Sequence, residues 1–181
     1  MLGFTVTQAY AAFFVLCLPI CLWVAWSDLK FMKIPNTAVM ALLAVYVVAG
    51  LALIPLEPWL WRWASFAVVL GIGFLLNAFA NVGAGDAKFA AAAAPFFVQK
   101  IEHLSIALVL LAFWLLAAFF LHRGLRMIPA VRRATPDWKS WTSARFPMGL
   151  ALVAVLLSYL ALVAFPGFCA VTYGRFSPVC G

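Results

Sequence analysis

Two short stretches of this chain hold the residues best suited to acid–base chemistry. The first is Asp28-Leu29-Lys30-Phe31-Met32-Lys33-Ile34-Pro35-Asn36, and the second is Gly83-Ala84-Gly85-Asp86-Ala87-Lys88. The chain has only five carboxylates, and Glu57, Glu102 and Asp137 fall in loops where solvation accounts for them. Asp28 and Asp86 instead sit where apolar runs meet the membrane surface, a depth at which ionisable groups are costly and signal function. Two carboxyl groups brought together share one proton, because like charges in close contact cannot both ionise. The ionised member can then take a proton from water while the protonated one polarises a carbonyl. Such a titration belongs to the pair. Gly83 and Gly85 let the backbone turn tightly beside the second acid and approach another segment closely.

Plainer roles exist for the same residues. Asp86 can cap a helix N-terminus, and Asp28 can be an interfacial acid. Lys30, Lys33 and Lys88 serve as topology markers, and Asn77 and Asn81 suit interhelical hydrogen bonds. Competing nucleophiles are lacking: His103 and His122 fall at span ends on opposite sides, and no Ser or Cys lies in a recognisable motif.

The elements that must position these acids are membrane helices. Of 181 residues, 68% are hydrophobic and 9% charged, with a mean hydropathy of +1.12. Soluble domains are about 45–50% apolar and about 25% charged, so this composition excludes a water-soluble particle. Apolar runs of about 17–20 residues recur, the length that spans a bilayer as helix. The reading is an all-α polytopic membrane helix bundle, a single membrane domain over 1–181 with about six transmembrane helices. The spans are Gln8 to Trp26, Asn36 to Ile54, Trp59 to Phe79, Phe89 to Gln99, Leu104 to Leu121 and Pro147 to Phe165. The fourth is short, at about 16–17 Å of helix against about 30 Å of hydrocarbon. The run from Tyr10 to Trp26 lacks the basic start and cleavage site of a signal peptide and is read as a retained helix.

Charge sets the orientation. With six crossings and the N-terminus outside, nine of the twelve Lys and Arg residues fall on the inner side, leaving Arg62, Lys100 and Arg175 outside. Both aspartates then share the inner face. The formal charge of +7 is a topology signal, and no nucleic-acid partner is implied. Trp59, Trp61 and Trp63 read as an interfacial aromatic belt. Residues 122–146 form one long basic cytoplasmic loop, expected to lie on anionic lipid headgroups. Cys17 and Cys21 are helix-packing residues, and without a CxxC pair no structural zinc site is expected.

Taken together, Asp-x-Lys-x-x-x-Ile-Pro-Asn and Gly-x-Gly-Asp-x-Lys resemble the motifs of the type IV prepilin peptidases, membrane aspartyl proteases of the GxGD class. Arg145-Phe146-Pro147-Met148-Gly149 is a weaker echo of a Pro-centred family motif. The resemblance implies that Asp28 and Asp86 are the catalytic dyad and that Gly83 and Gly85 shape the backbone. Lys30, Pro35, Asn36 and Lys88 match motif positions as possible substrate or motif support. It implies no metal and no cofactor, and a pilin or pseudopilin precursor as substrate, with a short basic leader cut at the cytoplasmic face. The setting it implies is a bacterial inner membrane, with membrane lipids as the other partner and both termini periplasmic; Cys169 and Cys180 could then pair. Lacking the paired CxxC segment of larger members, the chain resembles the short, peptidase-only form of tight-adherence pilus systems, and no methyltransferase activity is expected. The alternatives are a small proton- or cation-coupled transporter, which should show internal repeats, and a non-catalytic pilus or secretion assembly subunit.

Overall fold

The computed structural model describes residues 5–80, 82–143, 146–165 and 167. Asn81, Arg145, Cys169, Arg175 and Cys180 lie outside the described residues, and with them the expected cysteine pair. Among the described residues seven helices form: α1 (Val6–Phe31), α2 (Asn36–Leu53), α3 (Leu56–Ala80), α4 (Ala84–Ala93), α5 (Ile101–Met127), α6 (Pro129–Ala134) and α7 (Met148–Ala164). Short 3-10 turns cover Ala94–Phe96 and Lys139–Trp141, and no strand occurs among the described residues. The expected all-α membrane bundle is what forms. The helices α1, α2, α3 and α5 are each long and apolar enough to cross a bilayer, and the 17 residues of α7 rise about 26 Å.

Local chemistry fixes the ends of α1. Thr5 Oγ1 accepts from the Gln8 amide at 3.3 Å while Gln8 Oε1 accepts from the Thr5 amide at 3.0 Å, a reciprocal cap. At the far end Met32 adopts a left-handed conformation (φ 55°), and its N–H donates to the Asp28 carbonyl at 2.9 Å. Ser27 Oγ donates to the Lys33 carbonyl at 2.9 Å, clamping the reversal into α2. The buried face of α1 reads Tyr10, Phe13, Cys17, Cys21, Val24, at steps of three and four. Asp28 is the next member of that stripe, so the bundle's core face ends in a carboxyl group. Cys17 and Cys21 are buried free thiols, as their place in the run implied.

The core joins this face to Leu42 and Tyr46 of α2, Phe89 of α4, Phe96, and Leu156, Tyr159 and Leu160 of α7. The largest interface is between α1 and α7, which run antiparallel: Gly149 abuts Asp28, and Tyr159 meets the Tyr10 ring at 6.1 Å.

The fourth predicted span is corrected. Helix begins five residues earlier, at Ala84, and stops at Ala93. Pro95, which has no N–H to continue the ladder, instead opens a 3-10 turn. Gln99 is not helical; its Nε2 donates to the Trp61 carbonyl at 2.9 Å. The segment still makes contacts near both ends of the buried stripe of α1. Gly85 contacts Ile34 beyond the Asp28 end, and the Phe96 carbonyl accepts from Tyr10 Oη at 3.0 Å. Tyr10 and Asp28 are separated by about 27 Å of helix.

Arg62, inside the third predicted span, is 8% exposed and donates to Tyr10 Oη at 3.1 Å, at the end of the bundle remote from Asp28. Two further expectations change. Trp59 and Trp63 are half-buried against Tyr46 while Trp61 is exposed, because ring packing (stacked for Trp59, edge-on for Trp63) and the Trp59 Nε1 bond to the Tyr46 carbonyl (3.2 Å) hold the first two inward. The long basic loop is folded: α5 continues through Met127, α6 follows, and Ser140 and Trp141 are buried.

Candidate active site

The site lies where three chain segments meet at one end of the bundle. Asp28 comes from the last turn of α1 and is 5% exposed. The backbone amides of Gly149 and Leu150, in the first turn of α7, donate toward its carboxyl group. Its Oδ2 has no hydrogen-bond partner among the described residues. That is an expensive arrangement for a charge in a core, and it leaves one oxygen available.

Gly149 makes the approach possible. A Cβ there would lie 2.8 Å from Asp28 Oδ2, 3.0 Å from its Cγ and 3.1 Å from Ile34 Cδ1. Only a residue without a side chain lets α7 start this close to the carboxyl.

Asp86 comes from α4, in its first turn. The N-cap residue of the helix is Gly83, which contributes no side-chain bond, and Asp86 stands three residues on. Its carboxylate folds back over Gly83, occupying the space a side chain there would need. Gly85 packs on Ile34, which also touches the Gly149 position, so Ile34 is the common neighbour of α4 and α7. The charges of Asp28 and Asp86 are near enough to repel each other. Burial raises the Asp86 carboxyl from an ordinary 3.8 to about 6. Asp86 is half-buried, so water reaches the pair from its side.

The remaining motif residues divide. Lys88 Nζ donates to Asn36 Oδ1 at 3.4 Å, tying the second motif to the start of α2. Pro35 provides the extended residue from which α2 begins. Lys30 turns away, its ammonium 5.1 Å from the Trp26 ring centroid and 5.4 Å from that of Phe31. Asn77 bonds the Val82 carbonyl just beyond its own helix, closing the α3–α4 turn, where an interhelical bond was expected.

Sequence reasoning touched Gly149 only as part of a weak echo and did not reach Ser27 or Gly73. A Cβ on Gly73 would meet the Ala87 Cβ at 2.7 Å, so α3 and α4 are in close contact one residue from Asp86. Among the described residues no cluster of His, Cys, Asp and Glu could hold a metal ion.

The fold is thus that of an integral membrane helix bundle with two carboxyl-bearing turns at one end. A family model described as the type IV leader peptidase family matches residues 14–122, taking in both acidic motifs and ending before α7. The chain belongs to the type IV leader peptidase family. No curated protein and no solved structure gives a significant match.

Proposed function

We propose that this peptidase is an aspartyl endopeptidase that removes the short leader from type IV pilin-like precursors at the cytoplasmic face of a bacterial inner membrane. The observation that carries the reading is the meeting of Asp28 and Asp86, from separate motifs, at one end of the bundle with their charges in conflict. Sharing a proton relieves that conflict. In the shared state the ionised carboxylate takes a proton from a water entering on the Asp86 side, and the protonated partner polarises the scissile carbonyl. The proton then passes to the leaving amine, so the pair returns to its starting state without metal or cofactor.

An apolar cleft of about 500 Å³ supports the substrate assignment. It opens between α3, α4, α5 and α7, with Phe89, Ala90 and Ala93 lining it one to two turns beyond Asp86. An apolar helix following the scissile bond would lie along it, and the small Ala floor permits close helix approach. Gly83 and Gly85 shape the second acid's turn, while Pro35, Asn36 and Lys88 support it.

The test is cleavage of a candidate precursor by purified protein, alongside Asp28→Asn and Asp86→Asn. Each variant should lose at least about 10³-fold in rate with its helicity intact. Full activity in either variant ends the two-carboxyl mechanism.

A further inference from the structure

The folded loop after α5 builds a second concave site that the peptidase chemistry does not use. Arg126 comes from the last turn of α5, while Arg132 and Arg133 come from α6, started by Pro129 after the extended Ile128. All three line one open cleft of about 600 Å³. No carboxylate is among its lining residues; Asp137, the nearest acid in sequence, is exposed and outside it.

The cleft has a fixed wall. Trp141 is 4% exposed, and its Nε1 donates to Thr135 O and Oγ1, both at 3.0 Å. Its ring is stacked on His122 (5.1 Å, 13°) and on Trp138 (5.7 Å, 11°). Phe146 closes on the other edge of His122 at 6.2 Å. Burying the aromatic rings inward leaves the guanidinium groups as the outward chemistry of this loop. Arg133 Nε makes one weak bond, to the Pro129 carbonyl at 3.4 Å. A guanidinium carries five donors in a fork that matches phosphate oxygens.

We propose that this cleft binds a phosphate ester, and that its occupant is the headgroup of an anionic phospholipid. Placement selects the lipid over other anions. The loop leads directly into Gly149 at the Asp28 end of the bundle, so the cleft sits where the helices leave the membrane. Next to Arg126 in the chain, Met127, which lines the cleft, is 79% exposed and Ile128 is 46% exposed, a pair of apolar side chains adjoining the charges. A phospholipid satisfies both at once, with phosphate on the guanidinium groups and acyl chain on Met127 and Ile128. A free phosphate would leave those two side chains in water. A basic peptide would be repelled by three cations.

Each cation near an anionic headgroup contributes about fivefold in affinity, so the three together give about 100-fold. The experiment is native mass spectrometry of the full chain in detergent, with phosphatidylglycerol or phosphatidylcholine added. The parent is compared with R126Q/R132Q/R133Q and R126K/R132K/R133K. Retention of phosphatidylglycerol should fall about 100-fold in the Gln variant and by less in the Lys variant, which keeps the charge but loses the fork. Phosphatidylcholine binding should be weak and equal in all three, and millimolar inorganic phosphate should not displace the lipid. Equal retention of both lipids by the parent, or unchanged phosphatidylglycerol binding by the Gln variant, overturns the proposal. Inorganic phosphate bound by the parent but not the Gln variant, with lipid binding unaffected, assigns the cleft to free phosphate and overturns the lipid. Loss of precursor-peptide binding alone assigns it to substrate, with the same consequence. Should the Gln variant not fold, thermal midpoints of the parent in vesicles of each lipid decide: a rise in phosphatidylglycerol is expected, and identical midpoints overturn the proposal. None of these readouts depends on peptidase activity.

Discussion

Gly149→Ala is the sharpest test of how the site is built. The added methyl would sit 2.8 Å from Asp28 Oδ2 and 3.0 Å from its Cγ, where ordinary contact begins at about 3.4 Å. Relief therefore requires a displacement of about 0.5 Å, and the mobile partner is the Asp28 side chain, since Ile34 blocks the other direction at 3.1 Å. Two stability terms oppose each other. Alanine is favoured over glycine inside a helix by about 1 kcal/mol, while overpacking costs about 1–3 kcal/mol. The net change in stability is thus small, at about 0–2 kcal/mol. The effect on rate is not small, because misplacing a reacting group by about 1 Å costs about 10²-fold. For half that shift we expect a loss of about 10-fold or more, carried by kcat with KM little changed. The assay is steady-state cleavage of a precursor peptide, paired with thermal unfolding in the same detergent. A variant that folds normally and keeps kcat within twofold of the parent would refute the placement of Asp28 against α7.

Other outcomes follow from the same geometry. Asp86 is held near 6 by burial, so its protonated form is favoured in the folded state. The folded chain then binds more protons than the unfolded one between about pH 4 and 6, and stability falls as pH rises through that window. Asp86→Asn should therefore raise the thermal midpoint at pH 7.5 and leave it unchanged at pH 4; an equal rise at both pH values would remove burial as the cause. Cleavage needs one ionised carboxylate of the pair, and burial favours protonation of Asp86, so the rate should fall on the acid side as both carboxyls become protonated; a flat profile down to pH 4 contradicts it. Tyr10→Phe removes the donor to the Phe96 carbonyl and the acceptor for Arg62 at the end of the bundle remote from the acids. It should cost about 1–3 kcal/mol of stability while kcat stays within twofold, and a comparable loss of kcat without loss of stability would be the contrary result.

Much of the architecture was legible because membrane helices write themselves plainly. Helices α1, α2, α3, α5 and α7 were each anticipated, α2 and α7 to within a residue at either end and α1 ending five residues later than its apolar run, since a bilayer demands long apolar runs with every backbone group bonded internally. The family followed from motif pattern, and the model match over residues 14–122 agrees. The short α4 was misplaced because alanines carry a helix without a strong hydropathy signal, and because Pro95 diverts it late. The basic loop was read as unstructured because its periodicity is broken by prolines. Its order comes from ring stacking of Trp141 on its neighbour Trp138 and on His122, the latter a pair whose closeness no local pattern announces.

Composition alone determined that this chain lives in a membrane, and the spacing of its two acidic motifs singled out Asp28 and Asp86. Tertiary structure alone decided what surrounds them. It put Asp28 on the core stripe of α1, set Gly149 against its free oxygen from more than a hundred residues away, and made Ile34 the shared neighbour of α4 and α7. The physical reason is that helix formation and membrane insertion depend on local runs of residues, which a sequence displays directly. The charge state and access of a carboxyl depend on which other helices pack over it, and that is fixed only when the bundle closes.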